Sequence, residues 1–548
     1  MRAARGRVRR AAPGRRTDDT TEGPKPGVAG MGDVAGAGRV DGAGERGECG
    51  ERIAPLDRRV FAVAGLVFAV LMALSTRYGF HRDELYFLDC ARHLQAGYVD
   101  QPALAPLLGR VSLSLFGVSQ AGLRLWPALA AAGTVVVGGL SAREFGGERR
   151  AQLLAAIATG TMPVLLGGAH IANTTSYEVL AWAAIALVVA RIGRTGDTRW
   201  WPAAGALVGI GTEFNHLAAI FGIVLVAVVL LGPARRTVSG RHLLVGVALA
   251  VLFVLPDVWW QARHGWAMFE MTRALNAENG GPANIPTWTV GQLVMSCLAM
   301  TPVWVAGLRF LWRSRRPLWR CLVTTYAVLF VLFVLFAVTT GAQVYYLGGL
   351  YVCLLAAGAV GLDGWLRSPR RLRRLWIATA LSSALLVVIV LPVLPASDAG
   401  WTYAINTNTG ESLGWPQLVG TIRQVWTGLP PEQRANAVIF AADYGEAGAV
   451  NELGRGSGLP TAVSAHNTDW WWGPGNPHAT TVVAIAPGPD HAPGYATYLR
   501  RYFSDVRPAA TLSDPDGVHN VESGGHVYVC TGPRRPWGAM WPELRTYK

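Results

Sequence analysis

Apolar residues run along this chain in long blocks broken by short polar segments, the pattern of a helix bundle in lipid rather than of a water-soluble core. A hydrocarbon core about 30 Å thick asks for about 20 such residues per helical crossing. The blocks 60–76, 122–141, 151–170, 175–192, 243–260, 288–311, 319–340, 345–362 and 375–395 meet that requirement. The stretch 203–231 is too long for one span and has basic flanks, with Arg199 before it and Arg235 and Arg236 after it, so it reads as two short helices. The pattern predicts an α-helical polytopic membrane protein with about eleven crossings.

The arginines fix the expected orientation, because short cytoplasmic loops carry the Lys/Arg excess. Arg58 and Arg59, Arg149 and Arg150, Arg194 with Arg199, Arg235 and Arg236, Arg313 with Arg315 and Arg316, and the Arg370, Arg371, Arg373, Arg374 cluster fall at alternate ends of the spans. Loops 77–121, 170–175, 261–287 and 341–344 then face outward, the N-terminus is cytoplasmic and the C-terminus is exported. Composition agrees: 51% of residues are hydrophobic and only 15% charged. The net charge of +14 resides in the N-terminal segment and the loops, which makes it orientation information and excludes a nucleic-acid surface. Six scattered cysteines form no metal or disulfide pattern.

Three regions follow. Residues 1–57, rich in Arg, Gly, Ala and Asp, have no apolar period and read as a disordered basic cytoplasmic tail. Residues 58–395 form the membrane region. Residues 396–548 lack a spanning run and read as an extracytoplasmic α/β domain, with strands at 437–441, 481–485 and 526–530 and a helix near 446–453.

The chemistry concentrates in the first outer loop, 77–121, where Asp83 and Glu84 stand side by side just beyond the first span. Adjacent ionised carboxylates need a cation, a hydrogen-bond network or a shared proton. The pair fits base catalysis or metal binding, and it equally fits two solvated acids at a helix start. Leu85 to Leu88, Ala91 and Leu94 have helical apolar spacing, which predicts a helix lying in the membrane interface. Glu213 lies inside an apolar stretch, as a cavity acid or as the cap of a broken helix. Trp470, Trp471 and Trp472 in the outer domain offer faces on which a sugar ring stacks, or form a local core. Gly-rich dinucleotide and P-loop signatures are absent from the sequence.

The string Phe80-His81-Arg82-Asp83-Glu84-Leu85-Tyr86-Phe87, followed by Gly97-Tyr98-Val99-Asp100-Gln101-Pro102, resembles the first outer loop of GT-C superfamily membrane glycosyltransferases of the bacterial protein O-mannosyltransferase and lipid A aminoarabinose transferase type, the glycosyltransferase family 39-like proteins. The resemblance continues through Thr174-Thr175-Ser176-Tyr177-Glu178, Gly209-Ile210-Gly211-Thr212-Glu213, Trp260-Gln261-Ala262-Arg263-His264-Gly265-Trp266 and Tyr345-Tyr346-Leu347. Asp443-Tyr444-Gly445-Glu446-Ala447 is similar to tails on actinobacterial members. The resemblance implies a plasma-membrane, cell-envelope enzyme that moves a sugar from a polyprenyl-phosphate donor to a hydroxyl on a glycan, lipid or protein acceptor, with inversion.

Under that resemblance Asp83 is the expected general base. Glu84 is its orienting partner or, with Asp83, a ligand for Mg²⁺ or Mn²⁺. Arg82, Arg263, His264, Tyr345 and Tyr346 are expected at the donor phosphate, and Glu178 faces the cavity. Arg263 also fits a surface anchor beside Trp259 and Trp260. Related proteins often carry lysines where this chain has Asn215 and Gln343. Two other classes share the same features: a transporter or flippase of a lipid-linked glycan, and a non-catalytic membrane scaffold that binds glycans through the tryptophans.

Overall fold

The computed structural model describes residues 53–547 apart from 280, 404, 490–493 and 514–516, so most of the expected tail 1–57 lies outside the described residues. The membrane region comprises α1 (Arg58–Leu74), α2 (Arg82–Arg92), α3 (Leu104–Phe116), α4 (Gln120–Glu144), α5 (Arg149–Gly160), α6 (Pro163–His170), α7 (Thr175–Thr195), α8 (Trp201–Thr212), α9 (Leu217–Leu231), α10 (Gly240–Arg263), α11 (Ala267–Asn279), α12 (Asn284–Met295), α13 (Thr301–Arg313), α14 (Pro317–Thr340), α15 (Gly348–Gly361) and α16 (Pro369–Val390). Every predicted span falls on one of these helices or on a consecutive pair, and 203–231 divides into α8 and α9.

Length separates the helices from the predicted crossings. Among the described residues five helices, α4, α7, α10, α14 and α16, are long and apolar enough to cross a membrane. The bent pairs α5 with α6, at 51°, and α12 with α13, at 81°, raise the number to seven. That is fewer than the expected eleven. The reason is physical: α1, α8, α9 and α15 have 17, 12, 15 and 14 residues, and at about 1.5 Å per residue they reach roughly 18–26 Å, short of the bilayer core.

The largest buried cluster joins α1, α4, α5, α7, α9, α14 and α15, with Trp182 stacked on Phe221 at 4.7 Å between ring centroids. Glycine lets helices approach where lipid supplies no hydrophobic drive: Gly205 of α8 lies so close to the Gly246 backbone of α10 that a Cβ would overlap it.

After α16 come α17 (Gly400–Tyr403), α18 (Trp415–Gly428), α19 (Pro431–Ala435), β1 (Ala437–Ala441), α20 (Tyr444–Leu453), β2 (Val463–Ser464), β3 (Thr481–Ala486), α21 (Tyr495–Leu499), β4 (Phe503–Thr511), β5 (His526–Pro533) and α22 (Trp537–Leu544). The strands form one sheet in the order β2-β1-β3-β5-β4. β1 runs parallel to β2 and β3, whereas β5 runs antiparallel to β3 and β4. The buried strands β1, β3 and β5 coincide with the three predicted ones. β4 was not predicted, because an edge strand that alternates exposed positions and carries Asp505, Arg507 and Pro508 has no continuous apolar run.

α2 is covered by protein: Glu84 through Ala91 are all buried, because α20 packs over the helix. Gly445 and Gly448 permit this docking, since a Cβ on Gly448 would lie 2.7 Å from the Leu85 carbonyl and one on Gly445 would overlap the Arg82 side chain. Arg92 then pairs with the buried Glu452 carboxylate, Nη2 to Oε2 at 2.7 Å, and Asn451 Nδ2 donates to Asp89 at 2.7 Å. Replacing Gly448 with leucine is expected to force α20 off α2 at a cost of about 1–3 kcal/mol, read as a lower melting temperature in detergent.

Candidate active site

The turn that bears Asp83 is built by a capping box. His81 caps α2: its Nδ1 accepts from the Asp83 N–H at 3.1 Å, while Glu84 Oε2 accepts from the His81 N–H at 2.8 Å. Successive helical residues diverge by about 100° around the axis, so the two adjacent acids face different surroundings. Glu84 points inward. It is fully buried and grips Arg124 of α4 through two bonds, Nε to Oε1 at 2.8 Å and Nη2 to Oε2 at 2.7 Å, and Oε1 also accepts from the Ala172 N–H at 2.8 Å. Burial alone raises a carboxyl pKa, but Arg124 and these amide donors hold Glu84 below the ordinary carboxylate range.

This geometry separates the two carboxylates of the expected cation site. Both Glu84 oxygens are taken by an arginine and backbone donors, so Asp83 and Glu84 do not converge on a shared ion. No group of three or more His, Cys, Asp or Glu side chains among the described residues is arranged to hold a metal. Glu84 orients Asp83 through the helix start, not through a side-chain contact.

Asp83 points the other way, onto a cleft of about 610 Å³. Apolar residues of the membrane helices line one part of it, among them Val164, Val290, Leu386 and Ile389. Amides and hydroxyls line the remainder, including Asn173, Thr175, Gln343, Tyr345, Asn406 and Asn408. Asp83 is the charged residue in this lining. One of its oxygens, Oδ1, accepts from the Tyr444 hydroxyl of α20 at 3.0 Å. Arg82 stands beside it, with Nε 3.9 Å from Oδ1 and the guanidinium 5.5 Å from the Tyr444 ring centre. Glu411 draws both His81 Nε2, at 3.1 Å, and Arg82 Nη2, at 3.8 Å.

The other expected residues divide. Tyr345 lines the cleft, whereas Tyr346 packs its ring on Phe333 at 5.5 Å. Glu178 is buried in α7 and accepts from Asn215 Nδ2 at 3.0 Å, so the amide at a position where relatives often carry lysine bonds an acid of the bundle. Glu213 is buried at the end of α8, with Oε1 lacking a hydrogen-bond partner among the described residues. His216 pairs with Asp257 of α10 at 2.8 Å.

Arg263 and His264 are not in the cleft lining. Arg263 is exposed over the Trp259 ring at 4.8 Å, the anchor reading of this residue, and His264 stacks on Trp260 at 3.9 Å. The tryptophan trio is engaged in packing: Trp470 donates to the Trp541 carbonyl, Trp471 meets His264 edge-on, and Trp472 stacks on His93 at 4.4 Å. Trp470 and Trp471 meet edge to face at 4.8 Å with Arg545 over both rings, while Trp472 packs apart from them on His93. Arg124, Glu411 and Tyr444 were missed as site residues. Only Arg124 carried a local signal, a lone arginine inside an apolar block at the end expected to face outward.

Behind Asp83 the protein buries further acids. Tyr86 donates to Asp100 at 2.7 Å, and burial raises the Asp100 carboxyl to about 6. Burial, opposed by the Asn451 bond, pushes Asp89 up to about 7, with Glu452 raising it further and Arg92 and Arg455 acting against it.

A family model described as dolichyl-phosphate-mannose-protein mannosyltransferase matches residues 100–260. No curated protein matches the chain. Among solved structures, ArnT from Cupriavidus metallidurans bound to undecaprenyl phosphate is similar with a TM-score of 0.56 and 16% identity, covering 86% of this chain and 97% of that one. The apo form of the same protein gives a TM-score of 0.58 at 15% identity, with coverages of 86% and 97%.

Two outcomes are expected from the buried charges. Arg124→Leu leaves Glu84 ionised without its partner and should cost about 3–5 kcal/mol, seen as loss of folded protein in detergent extracts, with Arg124→Leu combined with Glu84→Met recovering most of it. Asp89 is protonated below about 7 in the folded chain but ionised above about 4 once unfolded, so its contribution falls as pH rises between those values and its burial cost is complete above pH 7. Asp89→Asn should therefore raise the melting temperature more at pH 8 than at pH 5. An equal shift at both pH values would contradict the assignment.

The chain has the fold of ArnT and resembles the GT-C superfamily membrane glycosyltransferases of the aminoarabinose transferase and protein O-mannosyltransferase type.

Proposed function

We propose that this protein is a glycosyltransferase that moves a sugar from a polyprenyl-phosphate donor to a hydroxyl acceptor at the outer face of the plasma membrane, with its C-terminal region outside the cell. One observation carries the reading: Asp83 is the charged residue lining a cleft that joins apolar helix surface to a rim of amides and hydroxyls. The apolar walls suit a prenyl chain, and the amide-rich rim suits the hydroxyls of a sugar. The likeness in fold to a protein bound to undecaprenyl phosphate supports the same donor class.

In this mechanism Asp83 Oδ2 takes the proton of the acceptor hydroxyl as that oxygen bonds to the anomeric carbon. The bond from that carbon to the phosphate oxygen breaks, and polyprenyl phosphate leaves with the electron pair. Attack opposite the leaving group inverts the centre. A neutral hydroxyl is a poor nucleophile, and a positioned carboxylate contributes about 10²–10⁴-fold. Charge developing on the phosphate meets the neutral donors Asn173, Gln343 and Tyr345 of the lining, while Arg82, outside the lining, stands beside Asp83 and over Tyr444.

The test is transfer of radiolabelled sugar in membranes containing the full chain, with undecaprenyl-phosphate mannose, glucose and arabinose as donors. Asp83→Asn is expected to lower turnover by about 10²–10⁴-fold with folding retained. Equal turnover by the variant and the wild type would remove Asp83 from the mechanism.

A further inference from the structure

We infer that Tyr444, carried by the C-terminal region, is the positioning residue of the proposed base: its hydroxyl fixes one oxygen of Asp83 so that the other faces the cleft. This inference rests on the function proposed above. The geometry that carries it is the 3.0 Å bond from the Tyr444 hydroxyl to Asp83 Oδ1. Asp83 Oδ2 has no hydrogen-bond donor among the described residues; the nearest ionic neighbour given to it is His81 Nδ1 at 3.8 Å. The two oxygens are thus differentiated, one held and one free. A free carboxylate rotates about its last torsion and presents either oxygen, whereas a base must aim one lone pair at the proton it takes.

The phenol is itself held on three sides. Its ring packs against Tyr86 at 4.6 Å and stacks on His466 at 4.7 Å, and Arg82 lies over it. Tyr86 is fixed in turn by bonds to Asp100 and to Thr468 Oγ1, and Thr468 also accepts from the Val99 N–H at 3.0 Å. Asp443, immediately before Tyr444, caps α20 through a second capping box with Glu446. The close approach at Gly445 and Gly448 brings this helix start to within reach of α2. Burial, then the adjacent Asp83 charge, push the Tyr444 phenol well above its ordinary range, so it remains a donor at neutral pH.

Tyr444→Phe preserves the ring and its packing and removes the donor alone. It is expected to reduce kcat about tenfold or more in the radiolabel assay while KM for the donor stays within twofold and the melting temperature is unchanged. The decisive readout is the pair. Placed on Asp83→Asn, where the base is already gone, Tyr444→Phe should cause no further loss of residual turnover. A multiplicative loss in the double variant, or a loss confined to KM, overturns the positioning role. Wild-type kcat in Tyr444→Phe beside an inactive Asp83→Asn overturns this inference and leaves the proposed function standing. Full activity of Asp83→Asn overturns both.

Discussion

The ion pair between Arg124 and Glu84 is the constraint on which the candidate site depends. Two charges buried this deeply are costly unless every hydrogen-bonding group finds a partner. Here they do: beyond the bidentate contact, Arg124 donates to the carbonyls of Ser75 and Gly79, and Glu84 accepts from the amides of His81 and Ala172. One cluster thereby ties the end of α1, the start of α2, the first turn of α4 and the segment between α6 and α7. The neighbouring acids require a cation, as their sequence implies, and the chain supplies it as an arginine on another helix.

Separation of the two carboxylates follows directly. A helical step turns Glu84 into the bundle and leaves Asp83 at the surface of the cleft. The first serves the architecture, which leaves the second without a carboxylate neighbour at bonding distance. A single pair of letters in the sequence thus holds two roles that only the helix geometry distinguishes.

The membrane helices were legible because lipid tolerates few alternatives to long apolar helices, and β1 and β3 were legible because a strand buried on both faces is apolar throughout. What escaped depends on contacts between distant parts of the chain. Tyr444 and Asp83 are 361 residues apart, and no periodicity links them. The breaks escaped for a different reason: an apolar window does not reveal a bend, and α5 with α6 and α12 with α13 each break within one predicted span. Trp470, Trp471 and Trp472 looked like a sugar platform because adjacent rings suggest a common surface. In the turn Trp470 and Trp471 pack edge to face under Arg545, whereas Trp472 turns away onto His93.

The C-terminal region is therefore part of the site and not an appendage to it. Several polar links cross between it and the first outer loop, among them Arg92 to Glu452, Asn451 to Asp89, Tyr86 to Thr468 and Tyr444 to Asp83. The Tyr86 to Thr468 bond is buried and the other three are partly buried, with Asp83 open to the cleft; a hydrogen bond shielded from water is stronger than an exposed one. Such links favour staying docked over partial opening, because separation exposes Asp89, Asp100 and Glu452 together with their donors. Since α20 carries Tyr444 at its first position, any motion that lifts the helix also releases Asp83. A chain that performs base catalysis at this carboxylate must then do so with the sheet region seated on the membrane bundle, and an acceptor must enter by way of the cleft instead of the α2–α20 contact.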